Sequence, residues 1–473
     1  MTQTSLSKTN YILYRECPKN AWLKVHKPDV YFATPLSPFE LSIIETGNEV
    51  DLLARDLFPT GEFQRSFEHD GLLAITDILT KKDDGYHLYE VKATNDIDKK
   101  VHPYDLAFQV IVLEKSGIKL TSASIVHLNK EYVRKGDLEI TKLFTITDLT
   151  EKVESIRPDV EADIDKAFKY LQEDKEPVGP CSCIYKGRSG HCTTSKYSNP
   201  DIPEYSVHDL SRIGLSKRKL TELIDSHIFS LDQVPKELEL SDVQKNQLFT
   251  HLNDYVIQDL PEIKSQLDSL QFPLYFLDYE TFPSAIPRFD DYSPYQQIPF
   301  QYSLHILNEP DGEPVHKDFL YVESGDPSRS FVDSLQSHIG GTGSVIVWHK
   351  DFECGRNREL GLRLPDAKSF FDGLEKRILD LEDIFKKQLY VHKDFRGSSS
   401  IKKILPVLVP ELSYKELAIQ EGGSAADAWN KLTTGGMNDS EKEASTEALR
   451  EYCKLDTYAM YAIWRKLFEL VSP

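Results

Sequence analysis

Short apolar runs recur along the chain between stretches with the spacing of amphipathic helices. The runs at 72–79 and 87–92 are separated by the turn-like KKDDG at 81–85 and predict a hairpin. The segment 122–127 reads as another strand, and 274–279, 300–306 and 344–348 predict strands further on. Helices are predicted at 5–22, 104–115, 353–362, 400–408 and 441–471. Residues 205–265 read as short helices broken at Gly214 and Pro235. The order of elements predicts an α/β chain in three segments, 1–200, 201–268 and 269–473, the middle one a helical linker. Within it, Lys217, Arg218 and Lys219 follow a turn. A helix pair with a basic turn presents backbone amides to phosphates; a solvated linker carries the same pattern.

Composition narrows the class only slightly. The 473 residues are 40% hydrophobic and 28% charged, enough for two or three ordinary cores. No segment has the pattern of a signal peptide or the length of a membrane span, so the expected location is cytoplasmic, with no membrane partner. Six cysteines in this length do not predict a disulfide scaffold. A formal net charge of −20 argues against a generic polyanion binder. It leaves room for a nuclease, whose metal-binding carboxylates are themselves acidic.

The chemistry begins with YFLDYE at 275–280. Residues i and i+2 of a strand share a face, so Asp278 and Glu280 point into one site. Two like charges side by side at the end of an apolar run are costly without a cation between them. Hard Mg²⁺ or Mn²⁺ suits such oxygens. Downstream, Glu353 follows a strand in VIVWHKDFE, with His349 and Asp351 just before it. Tyr452 and Asp456 stand four apart in REYCKLDTYAM and share a helix face.

An Asp-x-Glu strand, an acid after a middle strand and a late Tyr-x-x-x-Asp helix resemble the Tyr-type DEDD exonucleases of the RNase H-like superfamily. The resemblance implies Asp278, Glu280, Glu353 and Asp456 as metal ligands and Tyr452 as the residue orienting the attacking water. Two ions about 3.5–4 Å apart serve such hydrolysis. The segments at 298–307 and 398–414 are similar to a bacterial family that fuses this domain behind a RecB-like nuclease. Lys402 and Lys403 in the second segment read either as phosphate contacts or as exposed helix lysines. Cys354 and Cys453 read as packed residues.

The N-terminal segment carries a second constellation. Asp77 in LLAITDIL, followed by Glu90 and Lys92 in HLYEVKAT, resembles the PD-(D/E)XK nucleases, and Gln109 matches the helical glutamine of their RecB-like branch. The resemblance implies a restriction-endonuclease-like α/β domain in which Asp77 and Glu90 bind metal and Lys92 polarises the water. Glu49 or Asp51 stands in for the upstream histidine of that pattern. Cys17, Cys181, Cys183 and Cys192 resemble the iron–sulfur nucleases, where a 4Fe–4S cluster ties the two ends of the domain. A zinc site of four cysteines, or one using His191, is the competing reading.

Three functions follow as expectations: a two-module nuclease acting on DNA, an RNA exonuclease, or a nucleic-acid-binding scaffold with a decayed N-terminal site. The expected partner is nucleic acid, DNA ahead of RNA.

Overall fold

The alternating runs of the first half form a mixed sheet in the computed structural model, which describes residues 5–82 and 84–472. Its strands are β1 (Leu6–Ser7), β2 (Glu62–His69), β3 (Leu72–Lys82), β4 (Gly85–Lys92), β5 (Leu120–Leu128) and β6 (Phe144–Asp148). The order is β1-β3-β4-β5-β6, with β2 also paired to β3. Strands β3 and β4 form the antiparallel hairpin, of whose turn Asp83 lies outside the described residues. Strand β2 escaped the sequence reading because it buries only Phe67, so its period-two signal is weak. The helix Thr150–Gln172 was not anticipated either. It buries Val153, Ile156, Val160, Ile164, Ala167 and Leu171, a helical stripe against the same core.

The helix predicted at 5–22 is interrupted. Leu6–Ser7 pairs with the sheet, and the helices Lys8–Glu16 and Pro18–His26 meet at Cys17, whose backbone is extended (φ −159°). Pro18 is the physical reason: its ring disfavours helical geometry at the residue before it, while suiting the first turn of a new helix.

The second half builds another sheet. Its strands are β8 (Leu274–Pro283), β9 (Gln297–Leu307), β10 (Val315–Leu320), β11 (Ser344–Val347) and β12 (Ile378–Asp380), in the order β10-β9-β8-β11-β12. A minor ribbon pairs β7 (Ile257–Gln258) with β13 (Tyr390–Val391). Strand β9 is antiparallel to β8 and β10, whereas β8, β11 and β12 run parallel. One face of β8 buries Tyr275, Leu277 and Tyr279 against helices carrying Phe331, Leu335, Leu360 and Phe371. The other face lies under the long helix Asp439–Val471, where Phe276 meets Tyr461 and Trp464 edge-on. This helix starts at a capping box of Asn438 and Glu441.

The chain divides into two compact units. The first runs to Glu204 and adds Gly214–His227 and Ser284–Gln296; the second holds Tyr205–Ile213, Ile228–Pro283 and the chain from Gln297 onward. The stretch 201–268 is thus divided between them. Its helix Lys217–Asp225 belongs to the first unit and leaves Lys217 and Arg218 exposed. No helix among the described residues is long and apolar enough to cross a membrane.

Candidate functional site

In the second unit, the chain steps outward from β8 through β9 to β10, then crosses to β11 and β12 on the other side of β8. Open α/β sheets bind ligands at the carboxyl ends of strands where the order reverses in this way. Asp278 and Glu280 lie on β8, opposite Ser303 and Gln301 of β9, and the pairing slips just after Glu280. Such irregularities re-aim side chains beside sites.

Two hydrogen bonds set the long helix over this end of the sheet. Gln301 Nε2 donates to the Leu449 carbonyl at 2.9 Å, and the Ser303 and Thr457 hydroxyls are 2.7 Å apart. The residues between these points include Tyr452, Cys453 and Asp456, all buried. Tyr414 Oη donates to Asp456 Oδ1 at 2.6 Å. Lys402 Nζ lies 3.4 Å from Tyr452 Oη, reaches the Gln420 carbonyl, and sits over the rings of Tyr414 and Tyr452. Lys403 is exposed.

Glu353 occupies the first turn of the helix Lys350–Arg363, entered through His349 in the left-handed region (φ +83°). Asp380 at the end of β12 holds that turn by accepting from the His349 and Lys350 amides, each at 3.1 Å. The Glu353 side chain is 2% exposed, and its Oε2 is buried without a hydrogen-bond partner. His349 and Asp351 lie on the surface.

The electrostatics follow from burial and crowding. Burial, then the charge of Asp456, pushes the Asp278 carboxyl well above the usual range. Burial, then Asp278, does the same to Glu280 and to Glu353. Asp456 is raised by burial to about 6, against hydrogen bonds from Tyr414 and Tyr452 and the charge of Lys402. Buried carboxylates that repel one another are stabilised by a bound cation. An oxygen of Asp278, an oxygen of Glu280 and Cys453 Sγ lie within 4.8 Å of one another. This donor set fits a divalent ion, while Glu353 and Asp456, the other two predicted ligands, lie outside the group. Cys453 is packed, as expected, and its sulfur also lies among the carboxylates. Nothing in its spacing distinguishes Cys453 in the sequence, and Tyr414 is the last residue of the 398–414 segment, with no pattern of its own.

The first unit brings Glu90, Lys92 and Gln109 together and adds two residues the sequence did not mark, Lys8 and Asp105. Glu90 Oε1 accepts from Lys8 Nζ (2.6 Å) and Lys92 Nζ (2.8 Å), and Glu90 Oε2 accepts from Gln109 Nε2 (2.7 Å). Lys92 also donates to Asp105 at 2.6 Å. Burial alone would raise Glu90, but the Lys92 and Lys8 ammoniums hold it below the usual carboxylate range. Asp77 accepts from the Val91 amide and from Gln64, and burial with the Glu90 charge lifts it to about 7. Asp51 joins Asp77 through Gln64, whereas Glu49 is exposed. Among the described residues these carboxylates form no group of three with ligand atoms in mutual reach.

Cys17, Cys181, Cys183 and Cys192 do converge, with their sulfurs within 4.8 Å of one another. Cys192 Sγ lies 3.3 Å from Cys183 Sγ and 3.8 Å from Cys181 Sγ. Hydrogen bonds from the other three thiols hold Cys17 well below the ordinary thiol range. Asn199 braces the loop, accepting from the Cys181 amide and donating to Cys181 Sγ, each at 3.2 Å. His191 instead points its ring nitrogens at the Lys186 carbonyl and Ser195 Oγ. Four sulfurs in one pocket suit a metal ion or cluster.

A family model described as a domain of unknown function, DUF2779, matches residues 275–400, which contain Asp278, Glu280 and Glu353. The chain is 27% identical over 263 residues to "Uncharacterized protein UU173" of Ureaplasma parvum, a match covering 50% of this chain and 37% of that protein. It is 27% identical over 229 residues to "Uncharacterized protein MG366" of Mycoplasma genitalium, covering 45% of this chain and 34% of that protein. A Mycoplasma pneumoniae homologue of the latter is 26% identical over 222 residues, covering 43% of this chain and 33% of its own length. The matches thus span about a third of the length of these relatives.

Proposed function

We propose that the chain is a metal-dependent nuclease that hydrolyses phosphodiesters, with DNA as its substrate. In this reading the second unit is an RNase H-like, Tyr-type DEDD exonuclease. The first is a restriction-endonuclease-like, RecB-type module whose four cysteines hold a 4Fe–4S cluster. One observation carries it: the half-buried Asp278 and the buried Glu280, Glu353 and Asp456 come from three separate elements, the charge of Asp456 raises Asp278, and that of Asp278 raises Glu280 and Glu353.

Bound Mg²⁺ or Mn²⁺ would supply activation of water and stabilisation of the leaving oxygen. The chain supplies the rest. Tyr414 fixes the rotamer of Asp456, and Lys402 beside Tyr452 Oη directs that hydroxyl's own proton away from the ammonium, toward Asp456 or an attacking water. Burial of the carboxylates keeps bulk water from competing for the ions.

The first unit favours a second reading for itself. Both oxygens of Glu90 are already engaged by Lys8, Lys92 and Gln109, which suits a module that binds nucleic acid without cutting it.

Digestion of end-labelled single- and double-stranded DNA and RNA with Mn²⁺ tests both readings. Asp278→Ala should abolish stepwise shortening of ends, and Lys92→Ala should abolish any distinct product of the first unit. Shortening that survives Asp278→Ala would sink the exonuclease assignment. Products unchanged by Lys92→Ala would leave the first unit as a binding module.

A further inference from the structure

A hard-ion hydrolytic centre has no need of a thiol, yet Cys453 Sγ stands with the Asp278 and Glu280 oxygens inside a 4.8 Å group. The helix Asp439–Val471 explains its presence: the bonds to Leu449 and Thr457 lay the helix across the site, so Cys453 faces the carboxylates along with its neighbour Tyr452. Cys453 is fully buried, so its sulfur meets this cluster rather than solvent. A second observation points to a ligand beside it: Glu353, in the first turn of the helix that follows β11, the parallel neighbour of β8, carries a buried oxygen with no hydrogen-bond partner.

We propose that Cys453 is a soft third donor of this centre, so that a thiophilic divalent cation of the Zn²⁺ class binds there tightly and arrests hydrolysis. The inference rests on the carboxylates being the centre of a hydrolytic site. Sulfur and oxygen donors sit about 2.3 Å and about 2.0–2.2 Å from Zn²⁺, which places tetrahedral donors roughly 3.5 Å apart. Closing the group to that spacing takes about an ångström of side-chain adjustment from its 4.8 Å limit. As the metal–sulfur bond forms, the thiol loses its proton to solvent, and no electron is transferred. Mg²⁺ gains little from sulfur, whereas Zn²⁺ gains a great deal. Cys453 therefore sets which ions compete for the site, and free zinc becomes an inhibitor of the hydrolysis.

The test is Cd²⁺ titration of the full-length protein, following sulfur-to-cadmium charge-transfer absorption in the ultraviolet. Wild type is compared with Cys453→Ser, Cys453→Ala and Asp278→Asn. The four-cysteine cluster contributes equally to all, so differences between the proteins report the site. The expected result is loss of one thiolate increment in both Cys453 variants and weaker uptake of that increment in Asp278→Asn. In parallel, half-inhibition of Mg²⁺-supported hydrolysis by Zn²⁺ should need about tenfold more zinc in Cys453→Ser, relative to its own zinc-free rate. Losing even an outer partner of a metal ligand costs 10–100-fold in affinity, so a lost donor should cost at least roughly tenfold. An absorption increment identical in wild type and both Cys453 variants overturns the proposal, whatever the hydrolysis assay gives. A Cys453-dependent increment without hydrolysis in the wild type supports the coordination and sinks the nuclease reading instead. Circular dichroism shows whether a variant is folded, and the two substitutions at Cys453 provide alternatives if one is not.

Discussion

Neutralising one carboxylate of the second unit should stabilise the metal-free protein while abolishing its activity. Asp456 rises from 3.8 to about 6, chiefly through burial. A raised carboxyl in the folded state means its ionised form is disfavoured there. The penalty is full above the folded value, fades as pH falls through it, and is gone below the unfolded value. At about 1.36 kcal/mol per pH unit, holding Asp456 ionised at pH 8 costs roughly 3 kcal/mol. That cost is already net of the hydrogen bond from Tyr414, so Asp456→Asn, which keeps a neutral acceptor there, should remove about all of it. A gain of roughly 3 kcal/mol corresponds to about 6–12 °C in Tm for a unit of this size. Thermal melts in EDTA should show Asp456→Asn above wild type at pH 8, with the gap closing as pH falls from 8 through 6 to 4. With Mn²⁺ present the order should reverse, because a bound cation favours the ionised carboxylate. If Asp456→Asn melts below wild type in EDTA at pH 8, by an amount independent of pH, the carboxylate is an ordinary structural acceptor. Crowded charge then does not govern this site.

Tyr414→Phe removes the donor that holds Asp456. A hydrogen bond to a charged group is worth about 1.5–3 kcal/mol, so hydrolysis should slow by roughly 10–100-fold, and an unchanged rate would remove Tyr414 from the site. Lys8→Met leaves buried Glu90 with one ammonium fewer. Lys8 is itself 22% exposed, so the loss should be about 1–3 kcal/mol, read from the denaturant midpoint of the first unit; no shift would show that Lys92 suffices. Cys181→Ser should lower the iron content of anaerobically purified protein and the stability of the first unit. Iron unchanged in the variant would speak against the cluster, and zinc in its place would favour the competing metal.

Local signals carried six of the thirteen strands of the described residues, the long central ones among them, and the core of the sites. Strands β3, β4, β5, β8, β9 and β11 coincide with apolar or alternating runs, because a strand's pattern is written in consecutive residues. The edge strands β2 and β10 bury little, and β12 is only three residues long, so they left no such mark. The Asp-x-Glu of β8 reads as one site because strand geometry alone puts both side chains on one face. Cys181, Cys183 and Cys192 cluster in the sequence, Cys17 joined them only through the resemblance to iron–sulfur nucleases, and the four sulfurs converge.

Membership of the sites beyond those motifs was decided by packing between distant segments. Spacing shows that Tyr452 and Asp456 share a helix face, but not what that face meets or how the helix is rotated. The bonds from Gln301 to Leu449 and from Ser303 to Thr457 make that choice, and they bring Cys453 in with its neighbours. Tyr414 reaches Asp456 from a loop 42 residues earlier, and Lys8 reaches Glu90 across 82 residues. The residues themselves thus determined which side chains could do chemistry. The tertiary structure determined which of them stand together, because a contact across the chain depends on how whole elements pack and leaves no period in the sequence around it.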